Sequence, residues 1–81
     1  MNLKTEREFQ SINIAVMTVS DTRTVNDDRS GHTLVDRIEK AGHKVAAREI
    51  VKDETVAIIA QLRTWIASSD IDVVISTGGT G

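Results

Sequence analysis

The sequence predicts an α/β domain: a three-layer, mostly parallel sheet with helices on both faces, of which this chain supplies an N-terminal βαβαβ part. Three observations lead there. Short β-branched apolar runs alternate with stretches whose apolar residues recur at helical spacing. Each apolar run is followed by a polar or glycine-rich segment, the arrangement of a site carried on a scaffold. Cysteine and proline are absent from all 81 residues, so no disulfide or thiolate metal framework competes with a packed core, and no proline-marked linker divides it.

Met1–Gln10 is polar and of mixed charge, and reads as an extension ahead of one domain spanning 11–81. Ile12–Val19 is β-branched and nearly continuous in its second half, which predicts a buried strand. Ser20–Arg29 carries Asp21, Asp27 and Asp28 and predicts a loop. Leu34, Val35, Ile38 and Ala41 then follow at helical spacing, with Ser30 where an N-cap belongs and Gly42 where a helix ends left-handed. The first helix is thus expected over Gly31–Ala41. Lys44–Val51, more polar through Arg48 and Glu49, predicts an edge strand. Asp53 offers a cap and Glu54 a first-turn carboxylate for a second helix over Glu54–Ser68, its apolar stripe made by Val56, Ile59, Leu62 and Ile66 with the neighbours Ile58 and Trp65. Ile71–Ser76 predicts the third strand, and Thr77–Gly81 a glycine-rich turn. Trp65 and Met17 are expected in the core, and His32 and His43 in solvent.

Composition excludes several function classes. Ten basic against twelve acidic side chains give a net charge of −2 with the signs interspersed, and the aromatics are one Phe and one Trp. A nucleic-acid binder shows a basic patch with stacking aromatics, so nucleic acid is not an expected partner. No apolar run reaches the ~20 residues of a membrane span, and no signal-peptide core stands at the start, so the expected location is cytoplasmic. The P-loop pattern is missing, and Ser20-Asp21-Thr22-Arg23 after the first strand is not the dinucleotide fingerprint. A phosphoacceptor domain needs an aspartate where Ser76 and Thr77 stand.

Parallel strands joined by helices place the first strand between the second and third, with one helix on each face, and ligands bind beyond the strands' carboxyl ends where the winding reverses. Ser20-Asp21-Thr22, Asp53 and Thr77–Gly81 converge at that point. Consecutive glycines after a buried strand let backbone N–H groups approach an anion, with phosphate the usual guest. Two readings of Asp21 and Asp53 stand: carboxylates that hold Mg²⁺ beside a phosphate, or caps of their own turn and helix. Arg23 and Arg29 either neutralise a bound phosphate or are ordinary surface charges. The near-continuous apolar run of the third strand suits a strand flanked on both sides, yet this order makes it an edge, and the glycine turn should lead into a further helix. The expectation is the N-terminal portion of a larger domain.

Four segments carry a resemblance: Val16–Arg23, Asp28-Arg29-Ser30-Gly31, Val51-Lys52-Asp53-Glu54 and Ser76–Gly81. In this order and spacing they are similar to the molybdenum cofactor biosynthesis proteins B and Mog, and the Ser-Asp-Thr-Arg wording and Trp65-Ile66-Ala67 are nearer the B branch (MoaB). The resemblance implies a molybdopterin-binding-domain-like fold, a cytoplasmic trimer or hexamer, and molybdopterin as substrate or ligand. It also implies Mg²⁺ and ATP, because Mog-type members transfer AMP from Mg-ATP to the terminal phosphate of molybdopterin. By that likeness Asp53 is a catalytic aspartate and metal ligand, and Thr77, Gly78, Gly79, Thr80 and Gly81 receive phosphate. Ser20, Asp21, Asp28, Ser30 and Gly31 match positions around the pterin and nucleotide. The family's second signature, an Arg-Asp followed by Thr-Pro, does not occur in these residues. The alternative reading is a non-catalytic pterin-binding or interaction protein, or an inactive truncated fragment.

Overall fold

The computed structural model describes residues 9–78. Strand β1 (Asn13–Val19) leads through a 3₁₀ turn (Val25–Asp27) to helix α1 (Arg29–Lys40), then to β2 (Lys44–Val51), α2 (Thr55–Ile66) and β3 (Val73–Gly78). All pairing is parallel, and the strand order is β2-β1-β3. The βαβαβ expectation and the central place of β1 both hold. Six successive residues of β1, Ile14–Val19, are buried, as a strand covered on both faces requires.

Alternation along the strand separates two cores. Ala15, Met17 and Val19 point toward α2 and pack with Val51 and Trp65. Ile14 and Val16 point toward α1 and pack with Ile38. Trp65 and Met17 are buried, as their sequence positions suggest. Between Ile14 and Ala15 the pairing with β2 slips: Ile14 lies opposite Val45 but Ala15 opposite Ala47, leaving Ala46 as the extra residue of a bulge. Val45 accordingly packs on the α1 side and Ala47 on the α2 side.

Several element boundaries depart from the sequence reading. Helix α1 starts at Arg29 because its cap is Asp28, which accepts the Gly31 N–H, and Ser30 lies within the first turn. Its end is as expected. Gly42 takes φ +91°, and the His43 and Gly42 N–H groups donate to the Ile38 and Glu39 carbonyls in a Schellman closure. Helix α2 begins at Thr55, with Glu54 in the cap position and no side-chain cap bond, so Asp53 does not cap it. The expected stripe of α2 is half right. Ile58, Leu62 and Trp65 face the sheet, whereas Val56, Ile59 and Ile66 are exposed, because the helix is apolar on most sides and the i, i+4, i+7 row of larger side chains takes the core. Strand β3 runs two residues later than expected. Ile71 packs in the α2 core ahead of it, and Asp72 uses its carboxylate and N–H to bind the Asn13 N–H and carbonyl, both at 2.8 Å. His43, expected in solvent, is half-buried and accepts the Ile12 N–H at 3.2 Å. Among the described residues no helix is long and apolar enough to cross a membrane.

Register fixes where a site can form. Val19 lies opposite both Val51 and Gly78, so the three carboxyl ends finish level. Whatever follows each strand starts from one rim.

Candidate functional site

The turn after β1 continues the ladder through the Ser20 N–H, which donates to the Val51 carbonyl at 2.8 Å. Ser20 Oγ then accepts the Thr22 and Arg23 N–H groups at 3.3 and 3.1 Å, turning the chain sharply. The turn presents Asp21 toward β2, where its Oδ1 accepts the Asp53 N–H at 3.0 Å. Asp21 therefore bridges the first two strand tips through the Asp53 backbone.

Asp53 stands on a cleft of about 350 Å³ on the α2 face of the sheet, facing Ser76 and Gly78 of β3. Met17 and Val19 form its floor, and Ile58 and Leu62 its wall. Such a mix, an apolar pocket with a few polar groups on its rim, is what small-molecule sites look like. Gly78 is required there on two counts. Its φ is +86°, and a Cβ would lie 2.5 Å from the Val19 carbonyl oxygen. The backbone at the end of β3 thus comes as close to β1 as a chain can.

On the other face of the sheet, against α1, lies a second polar group. Asp28 is completely buried. Thr18 Oγ1 donates to its Oδ2 at 2.6 Å, the Gly31 N–H to its Oδ1 at 3.1 Å, and Arg48 Nη2 to its Oδ2 at 3.1 Å. Arg23 Nη1 lies 3.9 Å from its Oδ1. Burial pushes the carboxyl pKa up, but the hydrogen bonds from Thr18, Arg48 and Gly31, with the Arg48 charge, outweigh it and hold the carboxyl below its ordinary value. A Cβ on Gly31 would collide with this carboxylate, reaching 2.7 Å from Asp28 Cγ and 2.8 Å from Arg48 Nη2. Glycine here makes room for a charge.

The structure therefore sorts the residues singled out from the sequence. Asp53 and Gly78 share the cleft, Asp21 holds the Asp53 backbone, and Ser20 shapes the turn between them. Thr77 is half-buried on the α1 face, opposite Thr18. Asp28 and Gly31 belong to the buried cluster, and Ser30 is half-buried in the first turn of α1. Gly79, Thr80 and Gly81 lie outside the described residues. Three participants escaped the sequence reading. Ser76 shares the parity of Val74 and Gly78 and so faces the cleft, a signal available from alternation. Thr18 is the one hydroxyl in an otherwise apolar buried run and needs a polar partner. Arg48 passed as a solvated edge residue but is turned inward on the α1 side.

Among the described residues no three His, Cys, Asp or Glu side chains gather to hold a metal ion. A protein-built cage is thus not what the site offers. Mg²⁺ usually keeps several waters and takes only one or two carboxylates beside substrate phosphates, and the exposed Asp53 carboxylate on the cleft suits that mode.

Comparison with known proteins agrees with this fold. Residues 15–81 match the molybdenum cofactor biosynthesis family described as "Probable molybdopterin binding domain". Molybdenum cofactor biosynthesis protein B of Escherichia coli (strain K12) is 51% identical over 74 residues, which are 91% of this chain and 44% of that protein. The protein of the same name from Bacillus subtilis (strain 168) is 46% identical over 66 residues, 82% of this chain and 39% of the relative. A crystal structure of molybdenum cofactor biosynthesis protein B superposes with a TM-score of 0.88 at 39% identity, covering 93% of this chain and 47% of that one. The chain spans less than half the length of the relatives it matches. With the matched segment running from β1 through the tip of β3, the chain belongs to the molybdenum cofactor biosynthesis family.

Proposed function

We propose that the chain serves molybdenum cofactor biosynthesis by binding molybdopterin through its phosphate at the carboxyl ends of the strands, and that with Mg-ATP it adenylylates that phosphate. The observation that carries this reading is the shared cleft of Asp53, Ser76 and Gly78, closed beneath by apolar residues. The acceptor is a phosphate monoester, already ionised near neutral pH, so no strong general base is needed. One of its oxygens attacks the α-phosphorus of ATP, a new P–O–P bond forms, and the bond to pyrophosphate breaks. The obstacle is repulsion between the two phosphate groups. Mg²⁺, when bound, supplies the positive charge between them. Asp53 would hold and orient that charge from the cleft rim, Asp21 fixes the Asp53 backbone, and Ser76 offers a hydroxyl donor.

The test is molybdopterin binding by calorimetry together with pyrophosphate release from Mg-ATP. Asp53→Asn is expected to lower adenylyl transfer on the order of a hundredfold, the size typical of losing one electrostatic group in a preorganised site. Full transfer by that variant would refute the role. A second reading, binding without turnover, is favoured by one observation. Asp53 is the one carboxylate among the cleft residues, an Asp21 oxygen being already committed to its backbone. Molybdopterin affinity with no pyrophosphate release would establish that reading instead.

A further inference from the structure

The loop between β1 and α1 carries Asp21 to Asp53, yet it has almost nothing apolar to hold it. Residues 21–27 are all exposed, Val25 included, and the first buried residue beyond Ser20 is Asp28. At its near end the loop is fixed by the Ser20 N–H on Val51 and the turn on Ser20 Oγ. In its middle, the Thr24 N–H binds Asp27 Oδ1 at 2.7 Å. At its far end the loop is anchored by the Asp28 carboxylate, which Arg48 meets at close range, beside the helical bond from the His32 N–H to the Asp28 carbonyl. Arg48 Nη2 donates both to Asp28 Oδ2 and, at 3.4 Å, to the Asp28 backbone carbonyl, so it grips side chain and main chain together. Arg48 Nη1 lies 3.3 Å from His32 Nδ1 on α1, while its Nε is buried with no partner among the described residues. A half-buried guanidinium left partly unsatisfied is not the arrangement that stability alone favours, since an ion pair drawn out of water often contributes no more than an apolar replacement.

We infer that Arg48 is a positioning residue for the cleft. It locks Asp28 at the end of the loop, and through the loop it sets where Asp21 meets Asp53. Arg48 lies on β2, a few residues before the Asp53 tip, so one strand holds both ends of the loop, the far end through Arg48 and the near end through the Asp53 N–H. Asp28 on this account stays inside the protein and does not touch ligand. Its buried oxygens are already occupied by Thr18, Gly31 and Arg48. The inference rests on the proposed function in that the cleft is taken as the site being positioned.

The experiment compares wild type with Arg48→Met and Arg48→Lys, by amide hydrogen exchange and by calorimetric titration with Mg-ATP as the probe. Exchange at the Thr22, Arg23 and Asp53 amides is expected to quicken at least about tenfold in Arg48→Met, the weight of one charge-assisted hydrogen bond. The amides of β1 should keep their protection. Mg-ATP affinity should fall by a similar factor, and Arg48→Lys, which keeps a charged donor, should restore part of both. Unchanged loop exchange in a folded variant overturns the inference, as does unchanged affinity beside a wild type that binds. A wild type with no Mg-ATP affinity counts against the proposed function, and the exchange measurement then decides the positioning role alone. If Arg48→Met fails to fold, Arg48→Lys carries the same two readouts.

Discussion

Replacing Gly31 by alanine sets two opposing effects against each other. By helix propensity the change is favourable, because alanine is better than glycine within a helix by about 1 kcal/mol. By geometry it is not, since the new Cβ would stand 2.7 Å from Asp28 Cγ and 2.8 Å from Arg48 Nη2. Arg48 Nη2 is the tip of a long side chain that can give way, but Asp28 is the helix cap and is completely buried. Moving its carboxylate loses the cap, about 1 kcal/mol, and weakens at least one hydrogen bond to a charged group, about 2 kcal/mol. The net expectation is a loss of about 2 kcal/mol. With an m-value near 2 kcal/mol/M, typical of a small domain, the urea midpoint should drop by about 1 M. Equilibrium unfolding followed by circular dichroism reads this directly. A Gly31→Ala protein as stable as wild type, or more so, would refute the reasoning, because propensity would then have prevailed over the packed carboxylate.

Two further outcomes follow from the same geometry. Asp28 titrates below the ordinary carboxylate value when folded, so the unfolded chain binds more protons in the acid range and stability rises with pH there. Its contribution is present above about pH 4 and disappears as the pH falls through the lower folded value; melting curves of wild type and Asp28→Asn should therefore converge as the solution is acidified. At the cleft, Gly78→Ala imposes a left-handed backbone on a residue with a side chain and crowds the Val19 carbonyl. It should cost about 1–2 kcal/mol and shift the thermal midpoint downward, which differential scanning calorimetry would detect.

How much could be read from the sequence varied with how local each cause was. The β2 boundaries, Lys44–Val51, and the end of α1 at Gly42 follow from neighbouring residues and matched the structure. The central position of β1 follows from its unbroken apolar run together with topology rules that hold across folds. The buried side of α2 was not legible, because Val56, Ile59 and Ile66 are as apolar as Ile58 and Leu62, and the sheet beneath decides between them. Likewise Ser30 and Asp28 are both good caps by type. Asp28 takes the role because Thr18 and Arg48, distant in sequence, supply its partners. At the site, strand order and equal register put Asp53 and the end of β3 on one cleft, while Arg48 on an edge strand gave no sign of pointing inward.

The supernumerary Ala46 sets the phase of β2. Side chains on a strand alternate, so one residue left out of the pairing inverts the sequence parity of everything after it. Upstream of Ala46, Val45 follows the parity of Ile14; downstream, Arg48 follows that of Val16 and Val51 that of Val19. Drawing Ala46 into the pairing opposite Ala15, with the upstream pairs kept, would turn Arg48 toward Trp65 and strand Asp28 without its cation. The bulge at this one alanine thus determines on which side of the sheet the two charges meet.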